Sequence, residues 1–253
     1  MVKGLDIFRR FFKDFNGQFT LIGGTACDII MENLGVSFRA TKDLDIVLIV
    51  EVLDASFVDV FWQFVQNGDY AVQQKESGEK QFYRFMQPGN DEYPSMLELF
   101  SRIPDALDTG SHEGRLTPVP VDESVSSLSA ILINPPYYEF LHEGIRVIDD
   151  LPIVGAEYLI PLKAKAWLDL NERIKTDSKI GRGNVRKHKN DVFRLSQVID
   201  PELNLSVPQK VKDDFSLFLD EMSKEPDNLK SLKINSMNLK TLISYLRGYY
   251  VDD

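Results

Sequence analysis

Cysteine is almost missing from this sequence. Cys27 is the single one in 253 residues, so no intrachain disulfide can form, and zinc ribbons and disulfide scaffolds are excluded. It lies in an apolar-periodic stretch and reads as a small core residue; a reducing compartment suits such a chain. Long apolar runs are missing too. None approaches the roughly 20 residues that cross a bilayer, so no membrane partner is expected. Met1 to Phe15 alternates apolar and charged residues, which suits an amphipathic helix and not a signal peptide. The expected location is cytoplasmic. The three histidines, His112, His142 and His188, have no zinc-ligand spacing. No Rossmann or P-loop glycine motif occurs, so neither reading has support. Nor is there an excess of basic charge. A net charge of −10 gains nothing from long-range attraction to nucleic acid. One basic cluster, Lys175, Lys179, Arg182, Arg186, Lys187 and Lys189, could still form a local groove.

What is present divides the chain in two. Leu5, Phe8, Phe11 and Phe12 recur at helical spacing. Phe19 to Ile22 suits a short strand ending on Gly23-Gly24, and Thr25 to Leu34 a helix stopped by Gly35. Leu44 to Val50 is an almost continuous apolar run rich in β-branched residues, as in a buried strand. Phe57 to Val65 reads as helix. Tyr70–Gln73, Gln81–Met86, Met96–Phe100 and Leu128–Ile133 read as strands. Pro104 to Ser127 is rich in turn formers and acids, and long for a loop. Pro135-Pro136 breaks whatever precedes it. After Pro152 the strand signals stop, and Ala156–Arg173, Val185–Ile199, Lys210–Met222 and Leu239–Leu246 carry helical periodicity. The expected fold is α+β (α/β): a mixed sheet backed by helices over residues 1–152, then a helical domain over 153–253.

The residues that suggest chemistry cluster early. On a strand, residues i and i+2 face the same way, so Asp43 and Asp45 should project together from its start. Two adjacent carboxylates repel unless a cation lies between them. Mg²⁺, with its preference for hard oxygen ligands and phosphates, is the natural one. Alone, such a pair equally reads as a solvated strand end; here it runs straight into the buried run Ile46–Val50. Gly23-Gly24-Thr25 allows close approach of a ligand to backbone, with free N–H groups and a hydroxyl for an anion. The plainer reading is a strand-to-helix turn with Thr25 as N-cap. Glu98 is a single acid inside the apolar strand candidate Met96–Phe100. It is either paired or metal-bound, or it faces solvent on an edge strand.

Taken together, Gly23-Gly24-Thr25, then Arg39-x-Thr41-x-Asp43-x-Asp45, then a later strand acid, resemble the polymerase-β-like nucleotidyltransferases. The stretch looks like the AbiEii/AbiGii toxin branch of abortive-infection and toxin–antitoxin systems. The block Tyr158-Leu-Ile-Pro-Leu-Lys163-Ala-Lys-Ala-Trp167 and the block Arg186-Lys-His-Lys-Asn-Asp191 are similar to that branch's lysine helix and later Lys/Asp helix. The resemblance runs over roughly residues 18 to 198. Where many superfamily members have Gly-Ser, this chain has Gly23-Gly24, so only backbone amides and Thr25 could meet a triphosphate there.

The resemblance implies roles. Asp43, Asp45 and Glu98 would hold two Mg²⁺ ions, with Glu98 also helping to activate the attacking hydroxyl. Gly23, Gly24, Thr25 and Lys163 would meet the nucleotide, Lys163 from the helical part. Asp191 would orient Lys163 or contact the nucleotide. Lys165 competes for the role of Lys163, but a separation of two residues puts them on different helix faces. The implied activity is transfer of a nucleotide from an NTP to an acceptor: RNA such as a tRNA 3′ end, a protein, or a small molecule. In the toxin setting a cognate antitoxin would be the protein partner. The competing expectation is a catalytically silent nucleotide-binding or interaction module of the same fold.

Overall fold

A computed structural model of the chain describes residues 2–74, 80–101, 134–176 and 181–252. The expected strand Leu128–Ile133, the segment Pro104–Ser127, His112 and Lys179 lie outside them. The architecture is α+β. A seven-stranded mixed sheet with helices makes one compact unit, and a helical array makes the other.

In the first unit, α1 (Leu5–Phe12), β1 (Phe19–Ile22), α2 (Gly23–Asn33), β2 (Asp43–Leu48) and α3 (Ala55–Asn67) follow in order. Then come β3 (Ala71–Gln74), β4 (Lys80–Met86) and β5 (Met96–Phe100). The sheet is completed by a hairpin, β6 (Ile145–Ile148) and β7 (Leu151–Val154). The strand order is β3-β4-β5-β2-β1-β7-β6. Strand β2 runs antiparallel to β1 and parallel to β5, while β4 is antiparallel to β5. Every residue of β1 and β7 is buried, as expected of strands covered on both faces. An aromatic core fills the space under α1 and α3. The Phe12 ring lies 4.4 to 5.8 Å from those of Phe8, Phe19, Phe57 and Phe64. The periodicity of Leu5, Phe8 and Phe12 thus becomes the buried stripe of α1.

The second unit holds α4 (Pro135–Glu143), α5 (Ala156–Arg173), α6 (Arg182–Leu195), α7 (Gln209–Met222) and α8 (Leu239–Tyr250). The chain therefore does not divide at a single cut after residue 152. Helix α4 belongs with the helical unit, and the chain then returns through Ile145–Gly155 to the sheet before entering α5. Two local features hid this from the sequence. Pro135 and Pro136 sit in the first turn of α4, where a missing N–H costs nothing, so they start a helix instead of only ending what precedes them. Pro152 lies within β7, and a proline normally argues against an interior strand. The hairpin turn is Asp149-Asp150, both at positive φ (49° and 60°), the backbone of a two-residue turn that usually selects Asn-Gly or Asp-Gly. No described strand follows Val154.

Helix α5 contains Pro161. Its ring nitrogen cannot donate to the carbonyl four residues back, that of Glu157. A distant side chain takes over: the Tyr250 hydroxyl, at the end of α8, donates to Glu157 O at 2.8 Å. Burial pushes the Tyr250 phenol well above its ordinary pKa, so it remains a donor at any physiological pH. The Glu157 side chain accepts from the Asp200 amide at 3.0 Å, tying the segment after α6 to the same point.

This arrangement predicts a coupling. Tyr250→Phe should cost about 1–3 kcal/mol by leaving a buried carbonyl without a donor. In a Pro161→Ala background, where residue 161 regains its own N–H, the same change should cost under about 1 kcal/mol. Urea unfolding of the four proteins measures both terms; equal costs in the two backgrounds would refute the link.

Candidate functional site

The strand pattern of β2 alternates as expected: Asp43 and Asp45 are half-buried, Leu44 and Ile46 fully buried. The two aspartates therefore share a face at the start of the strand. Asp45 is the register partner of Glu98 on β5, and Glu98 is that of Arg84 on β4. Arg84, Glu98 and Asp45 thus form one row across three neighbouring strands, roughly 5 Å apart. Strand β5 is interior to the sheet, so Glu98 is not on an edge strand.

The glycine turn closes on this face. Gly23 has φ +67°, and a Cβ there would lie 1.6 Å from Asp45 Oδ2. Only glycine permits that backbone and that contact together. The place beside Gly23 is thus taken by the chain's own Asp45 carboxylate, at the start of α2, where the helix end favours negative charge. A Cβ on Gly24 would lie 2.6 Å from Thr41 Oγ1 and 3.3 Å from Arg39 Nη2. The alternate residues 39, 41 and 45 hence fold back onto the two glycines. Thr25 is fully buried, and its hydroxyl donates to the Asp43 carbonyl at 2.6 Å. Its observed task is to pin β2 to α2; it makes no N-cap hydrogen bond, and the cap position belongs to Ile22.

Glu98 stands beside Asp45 in this row and is also paired across the sheet with Arg84. Its Oε1 lies 2.5 Å from Arg84 Nη2, and the two side chains are 15% and 35% exposed. Among the described residues, no group of three His, Cys, Asp or Glu side chains is placed to hold a metal ion. The donor chemistry of Asp43 and Asp45 fits a hard divalent cation, two carboxylates on one strand face. The third carboxylate is drawn to a guanidinium directly across the antiparallel pair. Arg84 is the site residue that sequence reasoning missed. Its only signal was a basic residue at an alternate position of the β4 candidate.

The lysine block lies in the helical unit. Lys163 on α5 is 3% exposed and its Nζ lies 3.1 Å from Asp191 Oδ2 on α6. Asp191 is fully buried, and Arg194 Nη1 approaches its other oxygen at 3.5 Å. Lys165 goes elsewhere on α5: 3.0 Å from Asp169 and 3.8 Å from Asp214 on α7. Asp214 also accepts from the Tyr137 hydroxyl at 3.1 Å and from Lys210 at 3.0 Å. Burial, with the Asp214 carboxylate beside it, raises the Tyr137 phenol far above its usual range, which keeps it a donor. The two lysines are thus committed to different helices.

No family model and no characterised protein matches this sequence. Among solved structures, an antigenic nucleotidyltransferase-like protein from Paracoccidioides brasiliensis is similar at 13% identity and TM-score 0.49, over 98% of this chain and 91% of that one. The antibiotic-resistance factor ANT(2'')-Ia is similar at 12% identity and TM-score 0.36, over 86% and 91%. JHP933 from Helicobacter pylori is similar at 12% identity and TM-score 0.35, over 96% and 90%. At such scores the functional reading has to rest on the chain's own residues. No helix among the described residues is long and apolar enough to cross a membrane.

The Gly23–Asp45 contact makes a direct prediction. Gly23→Ala should destabilise by more than about 2 kcal/mol, through a left-handed alanine and a lost van der Waals gap. In an Asp45→Gly background, which also removes the Asp45 Cβ that would lie 2.9 Å away, only the backbone part, about 1–2 kcal/mol, should remain. Denaturant midpoints of the four proteins measure the difference, and a cost that Asp45 does not modulate would disprove the contact.

Proposed function

We propose that this chain is a metal-dependent nucleotidyltransferase that moves a nucleotide from an NTP to an acceptor hydroxyl, acting as an AbiEii-like toxin. The observation that carries the reading is the closure of Gly23-Gly24 on Thr41 and Asp45. It places Asp43 and Asp45 side by side at the head of α2, on a sheet face whose next strand bears Glu98. A Lys–Asp pair as dry as Lys163–Asp191 is a second, independent support. Removing either member would strand a buried charge.

In this reaction the acceptor oxygen forms a bond to the α-phosphorus, the bond to the bridging oxygen breaks, and pyrophosphate leaves with the electron pair. The acceptor's proton passes to a base or to solvent. Asp43 and Asp45 would hold Mg²⁺, which when bound supplies charge neutralisation and alignment of the phosphates. The chain's own contribution is rigidity. The Asp43 backbone is anchored by Thr25 and the Asp45 carboxylate is seated against Gly23, so the strand end is positioned before any ligand arrives. Backbone amides at the start of α2 remain the candidates for phosphate contact. Lys163, with Asp191 orienting it, is the lysine that the resemblance would assign to the nucleotide. The acceptor would be an RNA such as a tRNA 3′ end, a protein or a small molecule, and a cognate antitoxin would complete the system.

The second reading is a catalytically silent nucleotide-binding or interaction module of the same fold. Transfer assays separate the two. With each α-labelled NTP and total cell extract, label should enter RNA, protein or a small molecule, and Asp45→Asn should reduce it by at least about 10²-fold. NTP binding with no transfer at all would establish the silent module.

The lysines give the finer test. Lys163→Ala should lower transfer by at least about 10²-fold, the scale of losing one electrostatic stabiliser. Lys165→Ala should be mild. Rates are compared per folded protein, since Lys163→Ala also removes a partner of the buried Asp191. The reverse ranking would assign the role to Lys165.

A further inference from the structure

We infer that the Thr41 hydroxyl is the side-chain group that meets the nucleotide's phosphates at the head of α2. This role rests on the nucleotidyl-transfer reading, which leaves backbone amides at the start of α2 as the phosphate contacts and names no side chain of that turn beside them.

Two threonine hydroxyls lie near this turn, and the structure separates their tasks. Thr25 is the one that the Gly23-Gly24-Thr25 motif offers to an anion. It is fully buried, and it donates to the Asp43 carbonyl at 2.6 Å. Its single proton is therefore committed to holding β2 against α2. Thr41 is half-buried and stands two residues before Asp43, in the segment that folds over Gly24. Its hydroxyl oxygen is the atom that comes nearest. A Cβ on Gly24 would lie 2.6 Å from Thr41 Oγ1 and 3.3 Å from Thr41 Cβ. The polar end of the threonine, and not its methyl, is thus turned to the first turn of α2. An O–H there can donate to a phosphate oxygen that the same turn's amides hold.

Gly24 carries the case further. Its neighbour Gly23 is glycine for its left-handed backbone as well as for room, but Gly24 is not among the residues at positive φ. It lies inside α2, where glycine weakens a helix relative to alanine. The backbone does not require glycine here; space does. A side chain on residue 24 would collide with Thr41 Oγ1 and crowd Arg39 Nη2 at 3.3 Å. Residues 24 and 41 thus compete for one place at the head of the helix, and a hydroxyl from residue 41 holds it. A methyl group would fill the same gap equally well if filling were its whole task. Only an O–H can donate to a phosphate.

Mg²⁺–tripolyphosphate, which carries phosphates and no base, tests this role without turnover. It is titrated calorimetrically into the full-length protein and into Thr41→Val, Thr41→Ser, Thr41→Ala and the double variant Gly24→Ser/Thr41→Ala. Thr41→Val keeps the shape and loses the donor, so it should weaken binding by about tenfold, the scale of one hydrogen bond to a charged group. Thr41→Ser keeps the hydroxyl and should stay within about threefold of the parent. Thr41→Ala should lose about tenfold, and the double variant should recover to within about threefold of the parent, because it returns a hydroxyl to the same gap from the helix side. A Thr41→Val variant that binds as the parent does would overturn the inference. So would a Thr41→Ser variant as weak as Thr41→Val, or a folded double variant no better than Thr41→Ala. If the parent does not bind tripolyphosphate, the role of Thr41 falls as well, and transfer of label from an NTP then shows whether the wider reading survives. Thr41→Val and Thr41→Ser are close to threonine in volume, so their arms stand even if the double variant folds poorly.

Discussion

The contact between the Asp45 carboxylate and Gly23 is the constraint on which the rest of the site depends. There is no room for a Cβ between them, and the backbone of Gly23 is left-handed. That contact brings β2 close against the start of α2. The hydroxyl of Thr25 then reaches the Asp43 carbonyl, and Thr41 and Arg39 come down over Gly24. The register of β2 with β5 follows, and with it the placement of Glu98 beside Asp45. A motif that reads in sequence as four separate residues behaves in space as one closed turn.

Charge compensation is the second theme, and it is local. The chain is acidic overall, at −10, yet several of its buried or half-buried charges meet opposite partners nearby. Lys163 meets Asp191, Glu98 meets Arg84, Lys189 meets Glu225, and Asp214 gathers Lys165, Lys210 and the Tyr137 hydroxyl. Low effective dielectric makes each pairing consequential, because a buried charge without a partner costs several kcal/mol. The same physics makes the partners informative.

Much of this was legible from one-dimensional pattern. Strands Phe19–Ile22 and Met96–Phe100 and helix Ala156–Arg173 have the limits that periodicity and punctuation suggested, because their apolar repeats match the geometry of the elements they form. The same-face placement of Asp43 and Asp45 needs only the two-residue repeat of a strand. The failures were equally local. Pro135-Pro136 looked like an end and is a beginning, and Pro152 concealed a strand whose turn, Asp149-Asp150, lacks the usual glycine. Pro135-Pro136 follows proline's own suitability for a first helical turn, whereas at Pro152 and Pro161 tertiary packing outweighs the residue's general preference, as when Tyr250 supplies the donor that Pro161 removes.

The sequence by itself determined which residues were available for chemistry and which face of its own element each would occupy, because strand and helix periods are intrinsic to the backbone. Only the tertiary structure decided which of them meet. Glu98 and Arg84 are separated by 14 residues and Lys163 and Asp191 by 28, and no local rule specifies those pairings. They arise from strand order and helix packing. The fate of Glu98 shows why this matters: its chemistry as a carboxylate was legible, but whether it serves a cation or a guanidinium depends on which strand lies beside it.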